Sequence, residues 1–173
     1  ELERFIYLSQ LTQARAAKMY VEYLQAHNFK NNGVLFWQFN DCWPGVSFSA
    51  VDYAKKPKAL YYYAKRFFST VLIAVVPEFE KVRSGFAPVV KSMKVITIND
   101  SSQPVTATIN CRLIDLFGVV LDKVALPVAI GPFGVSAALK LPKAFVFPAE
   151  PDKSALHIVL ENNGEKIAEN LFL

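Results

Sequence analysis

The sequence is poor in metal-binding residues and contains no long apolar run. Its 173 residues include two cysteines, Cys42 and Cys111, and two histidines, His27 and His157, which are too few and too scattered to form a zinc site. Because the two cysteines lie in segments of different character, we expect free thiols. No apolar run reaches the roughly 18–20 residues of a membrane-spanning helix. The sequence therefore predicts no metal site, no membrane span and no cofactor.

Charge of one sign is concentrated in one short segment. The net charge is +4; residues 1–70 hold nine Lys or Arg against five Asp or Glu, and residues 71–173 hold ten of each. Most of the excess lies around one predicted helix, at Lys55, Lys56, Lys58, Lys65 and Arg66. Such a patch could bind nucleic acid, but no Gly-rich phosphate loop accompanies it. We interpret these residues as a solvated helix face with its lead-in loop and expect no nucleic-acid partner.

Two helices and one buried strand are predicted for the first part of the chain. Residues 2–29 contain no Gly or Pro, and apolar residues recur there at the spacing of one helix face. Residues 33–39, GVLFWQF, are apolar on both faces, as in a strand inside a parallel sheet. Pro57 is predicted to begin a second helix that ends near Ser69. Helix, buried strand and helix in this order are typical of a parallel α/β fold.

The remaining residues show the pattern of a β-sandwich. Residues 105–113 alternate between apolar and polar, which predicts a half-buried antiparallel strand. Its inward-facing residues are Val105, Ala107, Ile109, Cys111 and Leu113. Further strands are predicted at 71–76, 79–83, 92–99, 119–126, 138–141, 144–147, 155–161 and 166–173. Asn163-Gly164 is a strong hairpin signal. Seven or more short strands in about 100 residues are typical of an immunoglobulin-like sandwich.

The predicted strand at residues 33–39 has no partner strand in the first 70 residues. A strand that is buried on both faces needs a neighbour on each side, and a unit of two helices and one strand cannot bury its own apolar surface. We therefore expect residues 1–70 to be the last part of a larger α/β domain that begins upstream of Glu1. An exposed apolar edge of this kind also predicts self-association.

A long motif in the first part of the chain resembles a known enzyme family. Residues 33–68, GVLFWQFNDCWPGVSFSAVDYAKKPKALYYYAKRFF, resemble the last βα unit of the β-mannosidases of glycoside hydrolase family 2. Residues 5–14, FIYLSQLTQA, resemble the helix before that unit. The resemblance implies that residues 1–70 are the C-terminal part of a (β/α)8 barrel. It also implies that residues 71–173 are an immunoglobulin-like domain that follows the barrel.

The same resemblance implies which residues contact a sugar. Active sites of such barrels lie at the carboxyl ends of the strands. The family places a tryptophan of the last strand at the floor of the sugar pocket, and Trp37 matches it; indole offers a broad apolar face to the C–H groups of a sugar ring. Asn40 and Asp41 could hydrogen-bond sugar hydroxyls or cap the loop. Trp43 could line the rim of the cleft or only hold the loop in place.

The resemblance also implies that the catalytic groups lie elsewhere. Family 2 enzymes are retaining glycosidases with two glutamates, one as acid/base and one as nucleophile. Both would lie upstream of Glu1, and none of the nine glutamates of this chain matches either motif. We therefore expect an enzyme that hydrolyses terminal β-D-mannosides, and an isolated chain that is inactive without the upstream part of the same enzyme. The alternative is a non-catalytic module whose β-sandwich binds carbohydrate or supports the barrel.

Overall fold

The chain folds into a helical unit, Glu1–Ser69, and a β-sheet unit, Thr70–Leu173. The structure is a computed structural model, and it describes residues 1–27, 33–80 and 89–172. Each unit buries apolar side chains of its own. The candidate site residues belong to the helical unit.

Two packed helices form the core of the helical unit. Helix α1 spans Leu2–Gln25, and helix α2 spans Ala59–Phe67. The helices contact each other, and each contributes buried apolar residues: Ala14 and Val21 from α1, Leu60 and Phe67 from α2. The first turn of a helix has backbone N–H groups without intrahelical partners. One of these, Ala59 N, donates to Gln10 Oε1 at 3.3 Å, which ties the beginning of α2 to α1.

Both helix boundaries differ from the predicted ones. Helix α1 ends at Gln25 instead of residue 29, although residues 28 and 29 lie outside the described residues. Helix α2 begins two residues after Pro57, because Pro57 forms an antiparallel bridge with Val51 and Lys58 is extended. Among the helices that the structure describes, none is long and apolar enough to cross a membrane.

The predicted strand at residues 33–39 is absent from the structure. Exposure alternates along this segment, with Leu35, Trp37 and Phe39 exposed and the residues between them partly buried. In the described part of the helical unit, the β-pairing next to this segment is one isolated parallel bridge, between Asn40 and Val51. A strand is held by a ladder of hydrogen bonds to a neighbour, whereas the backbone bonds of this segment to the described residues are confined to its end, where Gln38 O and Phe39 O accept from Ala50 N and Val51 N. Membership of residues 1–70 in a (β/α)8 barrel therefore remains a prediction.

Two antiparallel sheets make up the second unit. Its strands are β1 (Val71–Phe79), β2 (Val90–Asn99), β3 (Val105–Asp115), β4 (Val120–Ile130), β5 (Gly134–Val135), β6 (Leu139–Lys140), β7 (Ser154–Asn162) and β8 (Glu165–Phe172). One sheet pairs β1 with β2, and β2 with both β5 and β6; the other has the order β4-β3-β7-β8. The inner faces of the sheets share one apolar core, with Ile73, Val95, Ile109, Ile158 and Leu160 among its most buried residues. The predicted β-sandwich is therefore confirmed.

Strand β3 follows the predicted alternation. Ala107, Ile109, Cys111 and Leu113 are buried, and Val105 is partly buried. Burial raises the pKa of the Cys111 thiol to about 11, because the thiolate would lose its hydration in the core. The position of Cys111 is thus that of a small apolar core residue.

The remaining local predictions had mixed outcomes. Asn163 and Gly164 join β7 to β8 with φ values of 50° and 82°, as a tight hairpin turn requires. The predicted strand at 144–147 is wrong, because Lys143–Val146 is a single helical turn, α3, with Phe145 and Val146 buried. A short apolar run has no period that separates these two structures. Strand β1 ends at Phe79, and residues 81–83 of the predicted strand at 79–83 lie outside the described residues.

Candidate functional site

The candidate site residues lie on a loop whose base is closed by backbone hydrogen bonds. Val51 N donates to Phe39 O at 2.9 Å, and Asp41 N donates to Val51 O at 3.1 Å. Lys58 N donates to Ala50 O at 2.9 Å, which brings the beginning of α2 to the same place. These bonds set the ends of the segment that carries the second tryptophan. We call residues 42–48 the Trp43 loop.

Four polar side chains meet at the base of the Trp43 loop. Asp41, Ser47, Ser49 and Lys58 form this group, which we call the Asp41–Lys58 cluster. Ser47 Oγ donates to Asp41 Oδ1 at 2.5 Å, and Lys58 Nζ donates to Ser49 Oγ at 2.8 Å. Lys58 Nζ also lies 3.2 Å from Ser47 Oγ and 3.4 Å from Asp41 Oδ2. Ser49 is fully buried, and the side chains of Asp41 and Lys58 are 6% and 14% exposed.

The cluster keeps the Asp41 carboxyl ionised. The Ser47 hydroxyl contributes most to lowering the pKa of Asp41; burial opposes the shift, while Ser49 and the positive charge of Lys58 add to it. Hydrogen bonds to a carboxylate favour its charged form. Oδ1 of Asp41 accepts from Ser47 in the loop, and its Oδ2 contacts Lys58 at the beginning of α2. These are the contacts of a loop cap, and a bond from Asp41 to a sugar hydroxyl remains a prediction.

The two tryptophans are placed differently from Asp41. Trp37 is 76% exposed and Trp43 is 71% exposed. The peptide bond between Trp37 and Gln38 is cis. Ring contacts in the described unit join Phe36 to Phe68 and Phe39 to Tyr61, and neither tryptophan takes part in them. Most of the surface of each indole is therefore exposed.

Asn40 combines an exposed side chain, like those of the two tryptophans, with a contact inside the protein, like those of Asp41. Its side chain is exposed, and its Nδ2 donates to the backbone oxygen of Asp41 at 3.2 Å. The carboxamide oxygen of an asparagine accepts hydrogen bonds and its NH2 group has two donors. Asn40 thus combines a local turn contact with capacity for a ligand hydroxyl.

The sequence-based prediction missed most of the Asp41–Lys58 cluster. Lys58 was interpreted as part of a solvated helix face, but its side chain is only 14% exposed and pairs with Asp41. Asp52 caps its own turn, because its Oδ1 accepts from Lys56 N at 2.7 Å. Ser47 and Ser49 were not singled out at all. The only sequence feature that could have pointed to Ser47 and Ser49 is that they lie two residues apart shortly after Trp43-Pro44, which is a weak indication of a polar cluster.

The clearly shifted carboxyl groups in the described residues are all shifted toward ionisation. A hydrogen bond from Lys94, followed by one from Ser92, lowers the pKa of Glu78. A hydrogen bond from Lys166, followed by one from His157, lowers the pKa of Glu169. A general acid in a glycosidase needs the opposite shift. These carboxylates therefore suit ion pairing rather than proton donation. Within residues 1–27, 33–80 and 89–172, no group of three or more metal-binding side chains comes together.

Comparison with known protein families gives a match for most of the β-sheet unit. Residues 91–173 match the family described as Mannosidase Ig/CBM-like domain. Nearly the whole chain also matches part of known enzyme structures. An exo-chitosanase from Amycolatopsis orientalis matches 99% of this chain with a TM-score of 0.76 and 19% identity, over 19% of its own chain. At that identity the match shows the fold alone.

The remaining comparisons narrow the resemblance to β-mannosidases. A β-D-mannosidase from Dictyoglomus thermophilum matches 100% of this chain at 27% identity and a TM-score of 0.76, over 20% of its own chain. β-Mannosidase B from Aspergillus clavatus is 25% identical over 99% of this chain and 21% of its own length. β-Mannosidase B from Aspergillus niger is 27% identical over 67% of this chain and 14% of its own length.

These matches confirm the resemblance that the motif in residues 33–68 indicated. The chain is similar to the C-terminal part of a glycoside hydrolase family 2 enzyme of the β-mannosidase type. It spans about a fifth or less of the length of these relatives.

Proposed function

We propose that this chain is the C-terminal part of a retaining β-glycosidase that hydrolyses terminal β-D-mannosides. The observation that carries the proposal is the similarity to the Dictyoglomus thermophilum β-D-mannosidase, which extends over 100% of this chain at 27% identity. Both units of the chain therefore have counterparts in one glycosidase. The motif NDCWP in residues 40–44 favours mannosides over the galactosides and glucuronides that other family 2 enzymes hydrolyse.

In this proposal Trp37 is the platform for the sugar ring. Its indole is 76% exposed and lies immediately before the base of the Trp43 loop. A sugar ring that stacks on an indole removes apolar surface of both partners from water. Trp43, which is 71% exposed, lines the rim, and the Asn40 side chain bonds a hydroxyl. Asp41 acts by holding the loop on which these groups stand.

The chemical step requires glutamates that this chain does not supply. Retaining hydrolysis needs one carboxyl as acid/base and a second as nucleophile, about 5–5.5 Å apart. Six of the nine glutamates lie in the β-sheet unit, and two of them, Glu78 and Glu169, are ion-paired with lysines there. We therefore propose that the nucleophile and the acid/base belong to another part of the enzyme.

The test is the activity of the full-length gene product on aryl β-glycosides. We expect turnover of the β-mannoside and much slower turnover of the β-galactoside and β-glucuronide. Trp37→Ala removes the platform. The stacking contact between the indole and a bound sugar ring is lost, and a loss of about 1.5–3 kcal/mol lowers kcat/KM roughly 10- to 150-fold. The matched control is Tyr62→Ala, which removes an aromatic side chain that is 55% exposed on α2.

Two results would overturn the proposal. One is a full-length protein that turns over none of the three substrates or prefers another sugar. The other is a Trp37→Ala enzyme with the same kcat/KM as Tyr62→Ala. The 173-residue chain is assayed in parallel, and we expect no turnover from it.

A further inference from the structure

We propose that Lys58 is a positioning residue that locks the Trp43 loop in place and thereby sets where Trp43 stands at the sugar site. This inference rests on the proposed function for its catalytic consequence, but the locking itself is independent of any activity. Lys58 lies immediately before α2, and its ammonium reaches back to the loop.

A single ammonium group bridges both ends of the loop. Asp41 precedes the loop by one residue, and Lys58 Nζ lies 3.4 Å from its Oδ2. At the other end, Lys58 Nζ donates to Ser47 O at 3.2 Å and to Ser49 Oγ at 2.8 Å. A lysine ammonium has three donors. Its three protons can therefore serve the entrance and the exit of the loop at once.

Between these two ends the tip of the loop, residues 42–46, depends on its base for its position. Besides the cluster, the base is held by Gln13 Nε2 of α1, which donates to Phe48 O at 2.6 Å. Residues 42–46 are all exposed, and the hydrogen bonds of the loop in the described structure resume at Ser47. Trp43 lies in the middle of this exposed stretch. A loop whose tip has few contacts moves with its base, so the orientation of Trp43 follows the geometry of the Asp41–Lys58 cluster.

The burial of the cluster makes Lys58 hard to replace by an uncharged side chain. The lysine side chain is 14% exposed and its partner Asp41 is 6% exposed. Removing one member of a buried ion pair leaves the other charge without compensation. Without Lys58, the Asp41 carboxylate would be drawn toward water. That movement would open the base of the loop, because Ser47 is bonded to the same carboxylate.

The locking is tested by the motion of Trp43 in the 173-residue chain. Trp37→Phe leaves Trp43 as the single indole of the chain, since the sequence contains two tryptophans. Time-resolved fluorescence anisotropy then reports how freely Trp43 moves. In that background we expect Lys58→Met to increase the amplitude of the fast, local depolarisation, and Lys58→Arg to restore much of the wild-type value. Lys65→Met, which removes an exposed lysine of α2, is the matched control and leaves the anisotropy unchanged.

A second variant keeps the test decisive if Lys58→Met does not fold by circular dichroism. Ser47→Ala removes a hydroxyl that contacts both Asp41 and Lys58 while leaving the ion pair in place. An increase in Trp43 mobility in Ser47→Ala supports the locking. Anisotropy decays that match those of Lys65→Met, in either variant that folds, overturn it.

The catalytic consequence is tested in the full-length protein on the aryl β-mannoside. Misplacement of a substrate-positioning group by about 1 Å can cost roughly 10²-fold in rate. We expect Lys58→Met to lower kcat/KM roughly 10- to 100-fold with partial rescue by Lys58→Arg, and Lys65→Met to leave it unchanged. If Trp37→Ala lowers kcat/KM but Lys58→Met does not, the positioning role is overturned and the proposed function stands. If the wild-type enzyme has no glycosidase activity, the proposed function fails while the anisotropy result still decides the locking.

Discussion

The side-chain amide of Asn170 donates a hydrogen bond to the backbone oxygen of Ile73 at 2.6 Å. Asn170 lies on β8 and Ile73 on β1, so this bond joins the two sheets of the sandwich. Asn170 is 4% exposed, and the two residues are 97 positions apart in the chain. The bond gives the buried Asn170 amide nitrogen an acceptor, as buried polar groups generally require.

Replacing Asn170 should weaken the sandwich. Asn170→Ala leaves the Ile73 oxygen buried without this donor, which costs about 1–3 kcal/mol of unfolding free energy. Urea denaturation of the chain measures this cost. The matched control is Asn162→Ala at an exposed position of β7, for which we expect a change within about 0.5 kcal/mol. Equal effects of the two substitutions would contradict the assignment of a bridging role to Asn170.

The two cysteines should react at very different rates. Cys42 is exposed, whereas Cys111 is 2% exposed and burial raises its pKa to about 11. The thiolate is the reactive form, so at pH 8 we expect iodoacetamide to modify Cys42 in the folded chain and to spare Cys111. In denaturant both should react. Mass spectrometry of the labelled peptides counts the modified sites, and comparable labelling of both cysteines without denaturant would refute the burial of Cys111.

The same thiol should make the sandwich less stable in alkali. The ordinary thiol pKa is 9.0, and the folded value is about 11. Between these values the unfolded chain binds fewer protons than the folded chain, so the free energy of unfolding decreases as the pH rises through this window. Urea denaturation at pH 8 and pH 10.5 measures the loss. Cys111→Ala, which has no titrating group there, should lose less stability over the same interval; an equal loss would show that other groups account for it.

The anchoring of the Trp43 loop should depend on the ionisation of Asp41. Its pKa lies below the ordinary value of 3.8, chiefly because of the Ser47 hydroxyl. A depressed carboxyl pKa stabilises the folded form above the unfolded pKa, and this contribution is lost as the pH falls through the folded pKa. In the Trp37→Phe background we expect the anisotropy of Trp43 to drop with a midpoint below pH 3.8, and Ser47→Ala to move that midpoint upward. If Ser47→Ala does not change the midpoint, the mobility of Trp43 does not depend on the titration of Asp41.

The β-sheet unit should not bind carbohydrate by itself. Phe145 is 4% exposed and belongs to the core, whereas Phe117 is 94% exposed at the turn between β3 and β4. Phe79, Phe133 and Phe147 are also exposed, by 48%, 67% and 49%, and exposed apolar rings are ordinary on a protein surface. We expect isothermal titration of the Thr70–Leu173 unit with manno-oligosaccharides to give no measurable heat of binding. Binding that disappears in Phe117→Ala would favour the carbohydrate-binding alternative over a supporting role.

The helical unit should drive self-association. It exposes many large apolar side chains, among them Leu2 at 70%, Phe5 at 68% and Leu35 at 98%. Large exposed apolar surfaces of this kind commonly mark sites of protein–protein association. We expect sedimentation velocity to show concentration-dependent association of the 173-residue chain, and a monomeric Thr70–Leu173 unit as the control. A strictly monomeric chain would count against the interpretation of residues 1–70 as part of a larger domain.

The sequence by itself determined the features that depend on near neighbours in the chain. The alternation in residues 105–113 predicted which side chains of β3 are buried, because successive residues of a strand point to opposite faces. Asn163-Gly164 predicted the β7–β8 hairpin, because both positions need a positive φ. The long motif in residues 33–68 indicated the family resemblance that the comparisons confirm.

Only the tertiary structure decided the features that depend on distant partners. An apolar segment becomes a strand only beside another strand, and residues 33–39 have none in the described helical unit. Lys58 had two aspartates within reach along the chain, and the closure of the loop selected Asp41 over Asp52. The Asn170–Ile73 bridge has no local signal, since its partners are 97 residues apart. Periodicity encodes which face a residue occupies, whereas folding of the whole chain decides which group lies opposite that face.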